Sequence, residues 1–349
     1  MRVLVAMSGG VDSSVAAARL LDAGHEVVGV TMKLWGGESD TGCCSVSDVD
    51  DARRVAQQLG VPHHVWNFGD DFEAHVVAPY VDAHRRGVTP NPCIECNRHL
   101  KFDRLLRRAE VVGFDAVATG HHARVVERAD GTRRLARGAD PAKDQSYVLY
   151  VLGQAELART LLPVGDMTKH DVRAEAEARG LRTADKPDSQ DVCFVTSSAG
   201  RQGFLGDRIA LRPGRVLDGA GAEVGRVEAV ELVTIGQRRG LGLAGGGTAR
   251  YAVDVDVPAA TVRVGSADEL LADRLCLEQV VWADTPVTGP LVAQCSAHGV
   301  PRPAEVGAPD AVGRIEVRFA EALRRVAAGQ SVVLYDGDQV VGGGVVSGP

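Results

Sequence analysis

"AMSGGVDSS", Ala6 to Ser14, is the stretch whose reading decides the fold. Before it, residues 2–7 form a short apolar run that reads as a buried strand of a parallel sheet. Within it, Gly9 and Gly10 make a turn. After it, Val11, Val15, Ala18 and Leu21 recur at helical spacing, and Gly24 supplies a stop. Strand, glycine turn and helix in that order make the opening unit of an α/β sheet.

Outward from this unit the alternation continues. "EVVGVTM" reads as a second strand, and "DVDDARRVAQQLG" as a helix with Val49, Ala52, Ala56 and Leu59 on one face. "VPHHVWNF" reads as a third strand, and "FDAVATG" (Phe114 to Gly120) as a fourth, after a helix near residues 97–112. The pattern predicts a doubly wound parallel sheet. "HARVVERADGTRRLARG" predicts a hairpin turning at Asp130-Gly131. Helices return from Gln145 to about Arg179. After Gly206 glycine and valine rise and short alternating runs such as "YAVDVDV" and "ATVRVG" take over, which predicts an all-β region. The expected organisation is an α/β domain over 1–206, a small central β domain over 207–271 and a C-terminal β-barrel over 272–349.

The chain has 349 residues, enough for roughly two or three domains. No apolar run approaches the ~18 residues of a membrane span. The N-terminal run leads straight into the glycine turn without a small-residue cleavage site, so it reads as a strand and not a signal peptide. A cytoplasmic setting follows, in which seven cysteines stay reduced and serve metal binding or catalysis rather than a disulfide framework. Net charge is −7 and pI ≈ 5.8, which argues against a general nucleic-acid coat protein. A local basic surface is compatible with the run Arg98, Lys101, Arg104, Arg107, Arg108, Arg124, Arg128, Arg133, Arg134 and Arg137, although solvated helix and hairpin faces give the same composition.

A helix N-terminus presents unpaired N–H groups and about half a positive charge, so the Ala6–Ser14 loop is suited to an anion. Gly9 and Gly10 let those donors converge, Ser8, Ser13 and Ser14 add hydroxyls, and Asp12 can hold Mg²⁺ against phosphate oxygens. The plainer alternative is an ordinary glycine turn. No G-K-S/T follows, so this is not a Walker A loop. The loop resembles that of the N-type ATP pyrophosphatases, which split ATP into AMP and pyrophosphate and adenylate a carbonyl oxygen for replacement by a nucleophile. That resemblance leaves citrulline, aspartate, xanthosine monophosphate and tRNA bases all open as substrates.

"PNPCIECNRHLKF", Pro90 to Phe102, sets Cys93 and Cys96 two residues apart. Such a pair serves as half a zinc site, a redox disulfide or an iron–sulfur corner, or is an accident of the core. No second C-x-x-C or H-x-H follows at zinc-finger spacing. A third cysteine, Cys193, lies in "KPDSQDVCFV", in an apolar strand-like run; a lone buried cysteine is usually a small hydrophobe.

Taken together, "MSGGVDSSV", "TPNPCIECNRHLKF", "ATGHHAR", "KDQSYVLY", "SQDVCF" and "TIGQRRGLGL" occur in the order found in the tRNA-specific 2-thiouridylase family, and the chain resembles it over essentially its whole length. The resemblance implies a PP-loop pyrophosphatase domain, a central β domain and a terminal barrel, and 2-thiolation of the wobble uridine of tRNA. It implies adenylation of the C2 oxygen and attack by a persulfide carried on Cys193, with Cys96 as second catalytic cysteine releasing sulfide or closing a Cys96–Cys193 disulfide. An ordinary thiol, with pKa about 8.5, is only about 3% thiolate at pH 7. Arg98, Lys101 and a helix N-terminus near Asn97 are candidate activators. By motif, Ala6, Met7, Ser8, Gly9, Gly10, Val11, Asp12, Ser13, Met32 and Gly120 line ATP, with Mg²⁺ near Asp12. His121, Lys143, Asp144, Gln145 and Gln330 match tRNA contacts. A cysteine desulfurase or sulfur-relay protein is the implied donor, and no membrane is involved.

Two departures stand out. Cys93 replaces the aspartate many members carry, and a basic Arg-Tyr pair of the barrel is replaced at Ser296 and Ala297. With a third thiol present, an iron–sulfur cluster on Cys93, Cys96 and Cys193 is the alternative to the persulfide couple. An ATP-dependent amidating ligase is disfavoured, since no N-terminal glutaminase nucleophile is present. Cys43, Cys44, Cys276 and Cys295 receive no role: the first two read as loop thiols, the last two as barrel core.

Overall fold

The glycine turn and its flanking runs fold as the alternation predicts. The computed structural model describes residues 1–34, 46–188, 192–195, 200–244 and 247–348; Cys43 and Cys44 lie outside the described residues. Strands β1 (Arg2–Ala6), β2 (Glu26–Lys33), β3 (His63–Asn67) and β4 (Ala116–Ala118) pair in parallel in the order β3-β2-β1-β4. β1 and β2 are apolar throughout their centres because helices cover both faces. Helix α1 (Val11–Asp22) buries Val11, Val15, Ala18 and Leu20, and α2 (Val46–Leu59) buries Ala52, Val55 and Ala56.

The hairpin is β5 (Ala123–Glu127) with β6 (Arg133–Arg137). Its turn is fixed by Asp130, whose carboxylate accepts from the Thr132 N–H at 2.9 Å, and by Gly131 at φ +79°. Beyond it, the all-helical reading of residues 145–179 missed a fifth parallel strand, β7 (Thr160–Leu161), which pairs with β4. Two residues carry no periodicity. Short helices Ser146–Leu149 and Gln154–Leu157 precede it, and helix Lys169–Ala178 follows.

The glycine- and valine-rich region is all β. β8 (Gly214–Leu217), β9 (Glu223–Val227), β10 (Tyr251–Asp256) and β11 (Thr261–Gly265) form a four-stranded sheet. β12 (Leu271–Trp282), β13 (Gly289–Gln294), β14 (Arg302–Val306), β15 (Ile315–Arg324), β16 (Ser331–Asp336) and β17 (Gln339–Val346) close into a barrel through β12–β17 pairing. The β5–β6 hairpin of the first domain joins this barrel, with Ala136 opposite Gln339. Buried side chains reinforce the join: Tyr147 Oη donates to the Ser331 carbonyl at 2.8 Å, Ser146 Oγ lies 3.1 Å from Tyr335 Oη, and the Arg137 guanidinium sits 3.8 Å from the Tyr335 ring centre. Cys295 is part of the barrel wall, where burial pushes its thiol up to about 11.

Candidate active site

The Ala6–Ser14 loop leaves β1 at the carboxyl end of the sheet, where a doubly wound fold binds its ligands. Gly9 takes φ +72°, and a Cβ there would meet the Asp48 carbonyl oxygen at 2.3 Å. Gly10 caps α1 with no side-chain hydrogen bond, so no side chain competes for the N–H groups of the first turn. The expectation for the serines changes. Ser13 Oγ and Ser14 Oγ both donate to the Gly10 carbonyl, at 3.1 and 2.8 Å, and the Ser8 N–H donates to Ser13 Oγ at 3.2 Å. Ser13 and Ser14 therefore shape the loop instead of facing a ligand, and Ser8 Oγ lies 3.4 Å from Ser13 Oγ.

Thr31, on β2 beside the buried Met32, donates to the Met7 carbonyl at 2.9 Å and lies 2.9 Å from His63 Nε2. The hydroxyl proton being engaged, His63 is the donor in that pair. Burial, with the charges of Arg53 and His64, holds His63 down to about 4.

Asp12 is the focus of the site. Lys169 Nζ reaches both its oxygens, at 2.8 and 2.7 Å, and His122 Nε2 reaches Oδ1 at 3.1 Å. Burial works against the charge on Asp12, but the hydrogen bonds of His122 and Lys169 outweigh it and lower its pKa. Lys169 also contacts Asp188 Oδ1 at 2.8 Å, and Asp188 pairs with Lys143 at 2.7 Å and Arg173 at 2.9 Å. Burial again opposes ionisation of Asp188, yet Lys143 and Lys169 bring it down to about 2. Neither Lys169 nor His122 was expected from motif. "GHH" signalled a histidine, and its second member is the one that touches Asp12.

Cys93 and Cys96 share one helix. The helix bearing them runs continuously over residues 92–111, five residues earlier than the reading of 97–112. Asn91 is its N-cap, accepting from the Cys93 N–H at 3.0 Å, and Pro92 occupies the first turn. Cys93, not Cys96, therefore occupies the helix N-terminus, while the buried Cys96 lies one turn further in. Cys193 is half-buried in a hydrogen-bonded turn, Val195 N to the Val192 carbonyl at 2.9 Å, rather than in a strand. Its neighbour Phe194 packs edge-on against Phe72 and Tyr80, with ring centres at 5.6 and 5.4 Å. Cys96 belongs to the same apolar cluster, and Cys193 packs against it.

His121 and His122 tie the two halves together. His122 holds Asp12; His121 lies against Lys101 of the cysteine helix, Nε2 to Nζ at 3.4 Å, and Thr119 at 2.7 Å. Lysine has no acceptor, so His121 Nε2 accepts and Nδ1 carries the proton. Burial, then the charges of Lys101 and His122, keep His121 neutral well below the ordinary histidine value. Gly120 lies against the first turn of α1: a Cβ there would meet Ser13 N at 2.5 Å.

The remaining residues assigned to tRNA make internal contacts. Asp144 accepts from Arg137, the Gly138 N–H and Ser146. Gln145 Oε1 accepts from the His122 N–H at 2.9 Å, and the Gln330 amide donates to the Thr89 carbonyl, binding the barrel to the segment before Cys93. Several members of the basic run already have partners within the chain. Arg104 pairs with Asp71, Arg107 with Asp103, Arg124 with Asp338 and Arg137 with Asp144, Arg108 stacks on Trp66, and Arg134 is buried.

Donor chemistry separates the two cofactors. Asp12 is a hard carboxylate in the first turn of an uncapped helix, which fits Mg²⁺ carried on phosphates with one protein ligand. The iron–sulfur expectation fits poorly: among the described residues no group of three or more His, Cys, Asp and Glu side chains is arranged to hold a metal.

Residues 1–197 match the family described as tRNA methyl transferase HUP domain, residues 202–266 its PRC-barrel domain and residues 272–346 an aminomethyltransferase beta-barrel domain. A protein of Mycobacteroides abscessus named tRNA-specific 2-thiouridylase MnmA is 49% identical over 99% of both chains. One of the same name from Beutenbergia cavernae is 48% identical over 99% of this chain and 95% of its own. The chain belongs to the tRNA-specific 2-thiouridylase family. Members of this family from Streptomyces coelicolor (46% identical, 99% of this chain and 95% of that one) and the two above span all three domains of the chain. The domain descriptions speak of methyl transfer, whereas the relatives that match over the full length carry a name that is that of thiolation.

Proposed function

We propose that the protein thiolates C2 of the wobble uridine of tRNA in the cytoplasm, consuming ATP. One observation carries this: adjacent histidines link the nucleotide loop to the cysteine helix, His122 at Asp12 and His121 at Lys101. Activation of a carbonyl oxygen and delivery of sulfur require those two elements side by side.

A uridine C2 oxygen is a poor leaving group. In the proposed sequence it attacks the α-phosphorus of ATP and pyrophosphate departs, with the first-turn N–H groups of α1 holding the phosphates. Mg²⁺ bound at Asp12 would neutralise the developing charge on pyrophosphate. The terminal sulfur of a Cys193 persulfide then attacks C2 and AMP leaves with the original oxygen. Cys96 thiolate attacks Cys193 Sγ, the S–S bond breaks, and its electron pair completes the C=S bond. The resulting Cys96–Cys193 disulfide is reduced by a cellular dithiol, and a cysteine desulfurase or relay protein reloads Cys193. Lys143, 41% exposed in its side chain, is proposed to meet a tRNA phosphate, while His121, Asp144, Gln145 and Gln330 hold the surfaces around the bound base. Sulfur transfer through a cluster is not proposed, because among the described residues Cys93, Cys96 and Cys193 are not grouped as metal ligands.

The test is nucleoside mass spectrometry of tRNA from cells lacking the protein, complemented by variants. Wobble 2-thiouridine should vanish, return with wild type and with Cys93→Ala, and stay absent with Cys96→Ala or Cys193→Ala. Unchanged 2-thiouridine in the deletion strain sinks the assignment. Brown, iron-containing protein that loses colour and activity in Cys93→Ala restores the cluster.

A further inference from the structure

We propose that Lys169 is a positioning residue that serves as the internal counter-ion of Asp12, so that a divalent cation is admitted only together with nucleotide phosphates. The inference rests on the ATP reading above and extends it to the order of binding.

An ammonium group has three protons. Those of Lys169 meet three acceptors: Asp12 Oδ1 at 2.8 Å, Asp12 Oδ2 at 2.7 Å and Asp188 Oδ1 at 2.8 Å. The side chain is only 12% exposed, so solvent screens these contacts weakly. Its backbone is fixed as well. Thr168 caps the helix that Lys169 opens, and the Lys169 N–H donates to Asp140 at 2.9 Å. The ammonium thus sits in front of the carboxylate, across both oxygens, where a metal ion would bind.

Charge points the same way. Asp12, Asp188 and Asp140 stand against Lys169, Lys143 and Arg173, three negative charges and three positive, so the cluster is internally neutral. A free divalent cation finds no unmatched negative charge there and would have to displace the ammonium, and Mg²⁺ also gives up its water reluctantly. A triphosphate supplies the missing negative charge. It offers oxygens to the metal and equally to Lys169, which can leave Asp12 without losing its ionic partners. An ordinary structural salt bridge would brace the loop in the same way whether or not nucleotide is present; a counter-ion makes metal affinity conditional on nucleotide.

The experiment is Mn²⁺ binding, followed by the loss of the free-ion electron paramagnetic resonance signal, on wild type, Lys169→Met, Lys169→Gln and Lys169→Arg. Without nucleotide, wild type and Lys169→Arg should bind Mn²⁺ at least about tenfold more weakly than the two neutral variants. Asp12→Asn in the Lys169→Met background should abolish the gain. Mn²⁺ should raise the melting temperature of the neutral variants and not that of wild type. With α,β-methylene ATP present, all four proteins should bind the ion, counted as Mn²⁺ retained with the protein on ultrafiltration above a protein-free control that holds the same nucleotide. Equal nucleotide-free affinity in wild type and both neutral variants overturns the proposal, as does a wild type that binds Mn²⁺ equally with and without nucleotide. Failure of every protein to bind α,β-methylene ATP by calorimetry instead counts against the ATP reading, and the nucleotide-free comparison still decides the role of Lys169.

Discussion

Gly120→Ala is the sharpest probe of the nucleotide loop, because its effect follows from space alone. A Cβ on Gly120 would lie 2.5 Å from Ser13 N, 2.7 Å from the Asp12 carbonyl carbon and 2.9 Å from Asp12 Cβ. Ordinary contact begins near 3.4 Å, so the first turn of α1 must retreat by about 0.9 Å, the difference 3.4 − 2.5. Both near neighbours are backbone, so no side-chain rotation relieves the clash. Overpacking of this kind costs about 1–3 kcal/mol of stability. The larger effect falls on chemistry, since the displaced turn carries Asp12 and the N–H groups proposed to hold the phosphates. A misplacement of about 1 Å costs on the order of a hundredfold in rate. The assay is pyrophosphate release with substrate tRNA, beside calorimetric affinity for α,β-methylene ATP. Gly131→Ala is the control: it lies at φ +79° in the hairpin turn with nothing within 4 Å, so it should cost stability and leave turnover intact. Gly120→Ala with near-wild-type turnover and affinity, or a loss no larger than that of Gly131→Ala, refutes the reasoning.

Two further outcomes are expected. His84 is buried and held down to about 4, chiefly by burial and then by the charge of Arg201, against a hydrogen bond to the Glu231 carbonyl. Its folded value lies below the unfolded value of about 6.5, so stability is steady above pH 6.5, falls as pH drops from 6.5 to 4, and levels off below. The loss should be about 3 kcal/mol, roughly 2.5 pH units at about 1.4 kcal/mol each; His84→Gln should flatten the pH dependence of chemical denaturation, and an unchanged slope assigns it to other groups. Tyr147→Phe removes the donor to the Ser331 carbonyl and leaves that buried oxygen without this partner. It should cost about 1–3 kcal/mol and speed proteolysis between the first domain and the barrel; wild-type resistance argues that the β5–β6 pairing alone holds the join.

The parallel sheet was legible because strands buried on both faces leave apolar runs, and the glycine turn fixes where the first one ends. What escaped has identifiable causes. The helix start at Pro92 was signalled by Asn91-Pro92, a cap followed by a proline in the first turn, a signal that a start near residue 97 leaves unused. The pairing of β6 with β17 could not be read, because residues 136 and 339 share no local pattern. Lys169 and His122 escaped for the same reason: they reach Asp12 from 157 and 110 residues away. Loop motifs are local, whereas the electrostatics of a site belong to whatever the fold brings in.

"KDQSYVLY" shows where motif reading stops. Resemblance assigns Lys143, Asp144 and Gln145 to tRNA, yet Asp144 organises Arg137, Gly138 and Ser146, Gln145 fixes the His122 backbone, and Tyr147 and Tyr150 hold Ser331 of the barrel. A residue that closes an interdomain joint and one that touches substrate are under the same demand, a single side-chain geometry with its polar atoms satisfied. Sequence pattern records that demand and not its cause. Only the contacts separate the two: Lys143, whose ammonium pairs with the carboxylate of Asp188, keeps an exposed side chain that can turn to a phosphate. Asp144, with Arg137, Ser146 and the Gly138 amide already on its oxygens, has little left to offer a nucleic acid and much to hold in place beside it.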